Sequence, residues 1–102
     1  MTGIVISPAA ERDLEEIWLT IAADNPRAAT RMLRTIAAKI ETLGHHPRMG
    51  ARRPDIRRHT RMLVERPYLI LYETRPDAAD GLVDIVEIVR VIDGRRDLKT
   101  LF

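Results

Sequence analysis

Apolar and polar positions repeat with a helical period early in the chain and with a period of two later. Ile4, Val5 and Ile6 form a short apolar run that reads as an N-terminal strand. Ser7-Pro8 follows as an N-cap and a first helical residue, where proline's missing N–H costs nothing. Ala10, Leu14, Ile17, Trp18, Ile21 and Ala22 then recur on one helical face, opposite Glu11, Arg12, Glu15 and Glu16. Asp24-Asn25-Pro26 ends this helix and caps a second one that runs to about Leu43, with Ala29, Met32, Leu33, Ile36, Ala37, Ile40 and Leu43 inside and Gly44 at its C-terminal end. So short a link predicts an antiparallel helical hairpin, with Trp18 and Met32 at core spacing.

Residues 45–55 hold proline, glycine and arginine without a period and read as a loop. From Thr60 the alternation predicts a strand, which Glu65-Arg66-Pro67 interrupts before a second run, Tyr68-Leu69-Ile70-Leu71-Tyr72. A polar turn over 75–81 leads to the most apolar stretch, 82–97. Asp84, Glu87 and Arg90 recur every three residues there, as on a helix, but Val83, Ile85, Val86, Ile88, Val89, Val91 and Ile92 are β-branched and favour a strand. Strict alternation places Val83, Ile85, Val89 and Val91 on one face and Val86, Ile88 and Ile92 on the other. A strand apolar on both faces belongs in the middle of its sheet. The order strand, helix, helix, strand, strand, strand predicts one α+β domain over residues 1–102, a helical hairpin packed on a small antiparallel sheet. Leu69, Leu71, Val86 and Ile88 are then expected on the face away from the helices, covered in part by a partner chain or by the tail 98–102.

Composition narrows the class. A chain of 102 residues supports one core, and 45% hydrophobic with 31% charged residues describes a soluble globular protein. With no cysteine, disulfides and thiolate metal sites are excluded, and with no apolar run of spanning length the expected location is the cytoplasm. The net charge is only +2, but Arg48, Arg52, Arg53, Arg57, Arg58, Arg61 and Arg66 crowd one segment against Asp55 and Glu65. No aromatic residue is interleaved there for base stacking, which favours a docking surface for an acidic protein over a single-strand platform.

Four segments carry a resemblance. Ser7-Pro8-Ala9-Ala10-Glu11-Arg12-Asp13-Leu14-Glu15-Glu16-Ile17, His46-Pro47-Arg48-Met49-Gly50, Tyr68-Leu69-Ile70-Leu71-Tyr72 and Val86-Glu87-Ile88-Val89-Arg90-Val91-Ile92-Asp93-Gly94-Arg95-Arg96-Asp97 resemble, in order, the ParE branch of the RelE/ParE toxin superfamily. The resemblance implies the same helical hairpin on an antiparallel sheet, and the toxin of a type II toxin-antitoxin pair. It also implies a cognate antitoxin whose disordered C-terminal segment folds onto the toxin. ParE-type members poison DNA gyrase, whereas RelE-type members cut messenger RNA on the ribosome; an inert toxin remnant in a repressor complex is a third alternative.

RNA cleavage by the 2′-OH needs a base, a cation and an acid. RelE-type enzymes resemble one another in an arginine just after the tyrosine of the middle strand and a tyrosine or histidine near the C-terminus. Here Leu69 follows Tyr68, and the chain ends Thr100-Leu101-Phe102. Asp93 stands where ParE-type sequences commonly have histidine, removing a group that titrates near neutrality. His45 and His46 read as helix-end residues, His59 as a surface residue, and Glu73 as a partner for a nearby arginine. No catalytic residue, metal or organic cofactor is therefore expected. Contacts to antitoxin or target are expected from Arg58, Arg61, Leu69, Leu71, Val86, Ile88, Arg90, Arg95 and Arg96, with nucleic acid engaged only through an antitoxin or gyrase complex.

Overall fold

A computed structural model describes residues 2–95. The element order is β1 (Gly3–Ile6), α1 (Pro8–Ala22), α2 (Pro26–Thr42), β2 (Ala51–Arg52), β3 (Arg61–Glu65), β4 (Tyr68–Arg75) and β5 (Ile85–Asp93). Both helices begin as expected. Ser7 Oγ accepts from Ala10 N at 3.0 Å and donates to Val89 O at 2.8 Å, so one hydroxyl caps α1 and ties it to β5. Asn25 Oδ1 accepts from Ala28 N at 3.0 Å and caps α2, with Pro26 at the first helical position. Gly44 is chosen for room rather than for a left-handed turn: its φ is not positive, and an added Cβ would stand 3.3 Å from Glu41 O.

The strands form one sheet in the order β1-β5-β4-β3-β2, which places β5 between two neighbours as its composition requires. Three features differ from the expected sheet. First, β1 runs parallel to β5, Gly3 beside Ile85 and Ile6 beside Ile88, so the sheet is mixed. Its pairing comes from the far end of the chain, across both helices. Second, the loop at 45–55 contributes β2, whose Ala51 and Arg52 pair with Met62 and Arg61. Third, β4 pairs Tyr72 with Ile88 but Leu71 with Arg90, leaving Val89 as an extra residue in β5. Such a bulge breaks the alternation of faces within a strand.

The bulge explains where the core lies. Val86 and Ile88 lie opposite Thr74 and Tyr72, and after the bulge Val91 lies opposite Ile70. Val86, Ile88, Val91, Ile70, Tyr72 and Tyr68 join Leu63, Ala10, Ile17, Ile36, Ile40 and Leu43 in one buried cluster between sheet and helices. Burying each large aliphatic side chain there stabilises the fold by about 1.5–3 kcal/mol. The expectation that Val86 and Ile88 face away from the helices is thus corrected: both are fully buried beneath them. Leu71 and Ile92 are buried outside that cluster, and Leu69 is half-buried. Trp18, expected in the core, is 37% exposed, and Ala37 is exposed as well. The tail 98–102 lies outside the described residues.

Candidate functional site

The arginine-rich segment is largely committed to holding its own loop. Arg48 donates Nε to Ala78 O at 2.9 Å and Nη2 to Asp80 O at 2.8 Å and Gly81 O at 2.9 Å. One guanidinium therefore fixes the turn between β4 and β5, which Gly81 makes possible with φ +84°. Arg52 Nη2 lies 3.0 Å from Asp77 Oδ1, and His59 Nδ1 lies 2.6 Å from Asp77 Oδ2, on the same turn. Hydrogen bonding from Arg52 holds the Asp77 carboxyl below its ordinary range, with His59 adding to the effect. Arg53 pairs with Asp55 at 2.8 Å.

Arg61 corrects an expectation. It is 7% exposed and donates Nη1 to Gly50 O at 2.9 Å and to Arg48 O at 3.3 Å, so its guanidinium supports the loop from below instead of standing on the surface. Beside it, Gly50 N donates to Tyr72 Oη at 2.8 Å. A Cβ on Gly50 would come within 2.7 Å of Met62 O and the Tyr72 ring, so only glycine fits. Burial pushes the Tyr72 phenol above its ordinary range, against smaller opposing pulls from the Gly50 N–H and the Arg61 charge. Of the basic residues expected to dock a partner from this segment, Arg58 is exposed. His45 and His46 are exposed too, and both backbone N–H groups donate to Thr42 O at the end of α2.

Along β4 and β5 the expected contact residues separate. Leu71, like Val86 and Ile88, has no exposed surface and is corrected from contact to core. Leu69 retains some surface. Glu73 sits opposite Glu87, and it is Glu87 that pairs with Arg75, so the arginine expected for Glu73 serves its neighbour. Arg95 is exposed and paired with Asp93, which holds its guanidinium in the charged form. Arg96 lies outside the described residues.

Arg90 is engaged inside the molecule. It donates Nε to Asp13 Oδ2 at 2.7 Å and Nη2 to Asp13 Oδ1 at 2.9 Å, while Val91 N donates to Asp13 Oδ2 at 2.9 Å. Asp13 is 9% exposed. This bidentate pair clasps α1 to β5, and hydrogen bonding to Asp13 raises the Arg90 pKa. The sequence carried a signal for it: Asp13 stands at the spacing of Ala10 and Ile17, the buried positions of α1. An acid on the inner face of an amphipathic helix calls for a buried partner.

Two concavities adjoin these elements, and the sequence reading missed both. One, about 320 Å³, lies between α1 and the end of β5, with Asp13, Glu16, Tyr68, Arg90 and Asp93 in its wall. The other, about 260 Å³, is a largely apolar groove where β1 meets the hairpin, lined by Ile4, Ile6, Leu14, Leu33, Ala37 and Ile40, with Glu41 as its one charged wall residue. It lies next to a sheet edge that is open among the described residues, where β1 has β5 as its one neighbour. Val5 is 46% exposed beside it. Arg27, Arg31 and Arg34 make the neighbouring face of α2 basic.

Among the described residues no helix is long and apolar enough to cross a membrane, and no three His, Asp or Glu side chains gather as a metal ion would require. No curated protein matches the sequence. A solved structure described as the chromosomal ParDE TA system from P. aeruginosa superposes with a TM-score of 0.71 at 22% identity, covering 91% of this chain and 96% of that one. It shares the fold built up above, strand and helical hairpin on a mixed sheet. The family profile described as the ParE toxin of the type II toxin-antitoxin system parDE matches residues 4–98, nearly the whole chain and all four segments quoted from the sequence. The chain belongs to the ParE family of type II toxins.

Proposed function

We propose that this protein arrests growth by binding DNA gyrase, leaves all covalent chemistry to the topoisomerase, and is neutralised by a cognate antitoxin. The family match over residues 4–98 carries the reading. The described side chains support it over RNA cleavage. Leu69 takes the place after Tyr68, Asp93 is engaged by Arg95, and His59 is engaged by Asp77. Purified protein is expected to inhibit gyrase supercoiling and leave translation unaffected. Messenger RNA cleavage on ribosomes with normal supercoiling would replace this reading with the RelE-like one. Arg95→Ala with Arg96→Ala is expected to abolish growth arrest while the circular dichroism spectrum stays native; retained toxicity would move the working surface elsewhere.

The antitoxin site moves from the outer sheet face to the groove at β1. An open edge strand accepts an extended segment by main-chain pairing, and an adjoining groove accepts its alternate side chains. Basic residues along α2 complement an acidic amphipathic segment. Ala37→Glu, which adds bulk and a second carboxylate beside Glu41 in the groove, is expected to weaken antitoxin binding by about tenfold or more. Val64→Glu, exposed on the outer face, is expected to leave it unchanged. Calorimetry with the adjacent gene's product checks both, and the reverse ranking would restore the outer face.

A further inference from the structure

The arginines that the sequence crowds into 48–66 are largely spent on that segment's own turns. Arg48 and Arg61 hold backbone carbonyls, Arg52 holds Asp77, and Arg53 holds Asp55. A second set of guanidiniums is free, and it stands on α2. Arg27, Arg31 and Arg34 recur at steps of four and three residues, which puts them on one stripe of the helix. All three are exposed, and no hydrogen bond or ion pair engages their side chains among the described residues. With Pro26 and Thr30 they line a shallow depression of about 370 Å³. Glu41, the one acid of α2, lines the groove at β1 instead. The purely positive stretch ends at Arg34, because in the next depression Lys39 shares the wall with Glu65.

The character of the stripe selects its partner. No aromatic or large aliphatic side chain lines the depression, so it lacks the buried anchor from which a protein contact draws most of its affinity. A polyanion needs only charges within reach. Each guanidinium presents a planar fork of donors that matches two phosphate oxygens, and the Thr30 hydroxyl adds a donor of the kind that contacts a nucleic-acid backbone. An α-helix rises about 1.5 Å per residue, which sets Arg27 and Arg34 about 10 Å apart along the axis. Duplex DNA carries a phosphate about every 3.4 Å of its axis on each strand, so three phosphates occupy the same length.

We propose that Arg27, Arg31 and Arg34 bind the sugar-phosphate backbone of duplex DNA, one phosphate each and without regard to base sequence. The contact is direct, where the sequence led us to expect nucleic acid only through a complex, and it does not depend on gyrase being the target. The test is fluorescence anisotropy of a labelled duplex of about 20 base pairs titrated with the full chain. Binding is expected below about 100 μM protein in about 50 mM salt and is expected to weaken about fortyfold by about 200 mM, since three neutralised phosphates give a logarithmic salt slope near −2.7. Arg27→Gln, Arg31→Gln and Arg34→Gln are each expected to lower that slope by about one, and the triple variant to lose binding with its circular dichroism spectrum unchanged. Arg66→Gln, exposed in the turn between β3 and β4, is expected to keep the wild-type slope. Poly-L-glutamate, which carries its charges more sparsely than a duplex, is expected to compete about tenfold less well at equal charge. No binding below about 100 μM in about 50 mM salt, a triple variant with the wild-type slope, or an Arg66→Gln loss as large as those on α2 would each overturn the assignment. Poly-L-glutamate competing as well as unlabelled duplex would overturn it in favour of an acidic protein. DNA binding as described with gyrase supercoiling unaffected would support this contact and sink the gyrase reading alone.

Discussion

The Asp13–Arg90 clasp and the Asp77 cluster with Arg52 and His59 use the same chemistry in opposite surroundings. Asp13 is 9% exposed, accepts three hydrogen bonds, and joins residues 77 apart in sequence. The side chains of Arg52 and His59 are 42% and 51% exposed, so solvent screens what they give Asp77. A carboxylate withdrawn from water must be fully paired to be tolerated, and removing its partner strands a charge. An exposed carboxylate simply returns to water. The first pair decides whether α1 sits on β5; the second trims a turn that Arg48 already fixes through three carbonyls.

The largest effect expected from this contrast is Asp13→Ala. Breaking a buried pair from one side costs about 3–5 kcal/mol, a large share of the roughly 5–15 kcal/mol that holds a domain together. Urea titration is the direct measurement. The double variant Asp13→Leu with Arg90→Met is expected to recover much of the loss, since an apolar pair of similar volume leaves no stranded charge. A double variant as unstable as the single one would mean that packing, not charge, makes the clasp.

Between the extremes stands Tyr72→Phe, which keeps the ring and leaves the buried Gly50 N–H without its acceptor. The expected loss is about 1–3 kcal/mol in the same titration. A neutral result would place water at the amide and lower the claimed role of this bond in seating the loop.

The smallest effect is expected from Asp77→Asn, below about 1 kcal/mol at neutral pH. Its pH dependence is the sharper readout. The folded-state pKa of Asp77 is depressed by Arg52, so its contribution is fully present above the unfolded value of about 3.9 and is lost as pH falls through the lower folded value. Thermal melts from pH 5 downward should therefore show a shallower acid-side decline in Asp77→Asn than in the wild type. Parallel declines would mean that other carboxylates carry the acid response.

Much of the fold was legible because its elements are set locally. Ser7-Pro8 and Asn25-Pro26 mark both helix starts, and β-branched crowding marks β5, since capping and χ1 sterics act within a few residues. The family was legible in four short segments for the same reason. The candidate contacts were less so. Val86 and Ile88 were assigned to the wrong face because a bulge at Val89 shifts the register, and the pairing of β4 with β5 sets that shift. Arg61 and Arg90 read as free cations in sequence, yet one supports carbonyls of the 45–55 loop and the other holds an acid on α1.

The amino-acid sequence alone determined the α+β class, the helical hairpin, β5 as an interior strand and the ParE kinship, because periodicity and capping are properties of neighbouring residues. Only the tertiary structure decided that β1 joins in parallel at the edge of the described sheet, that a bulge turns Val86 and Ile88 inward, and that Arg90 belongs to Asp13. Those outcomes depend on which distant groups meet where water is excluded, and there a buried charge is tolerated only once its partner arrives from the other end of the chain.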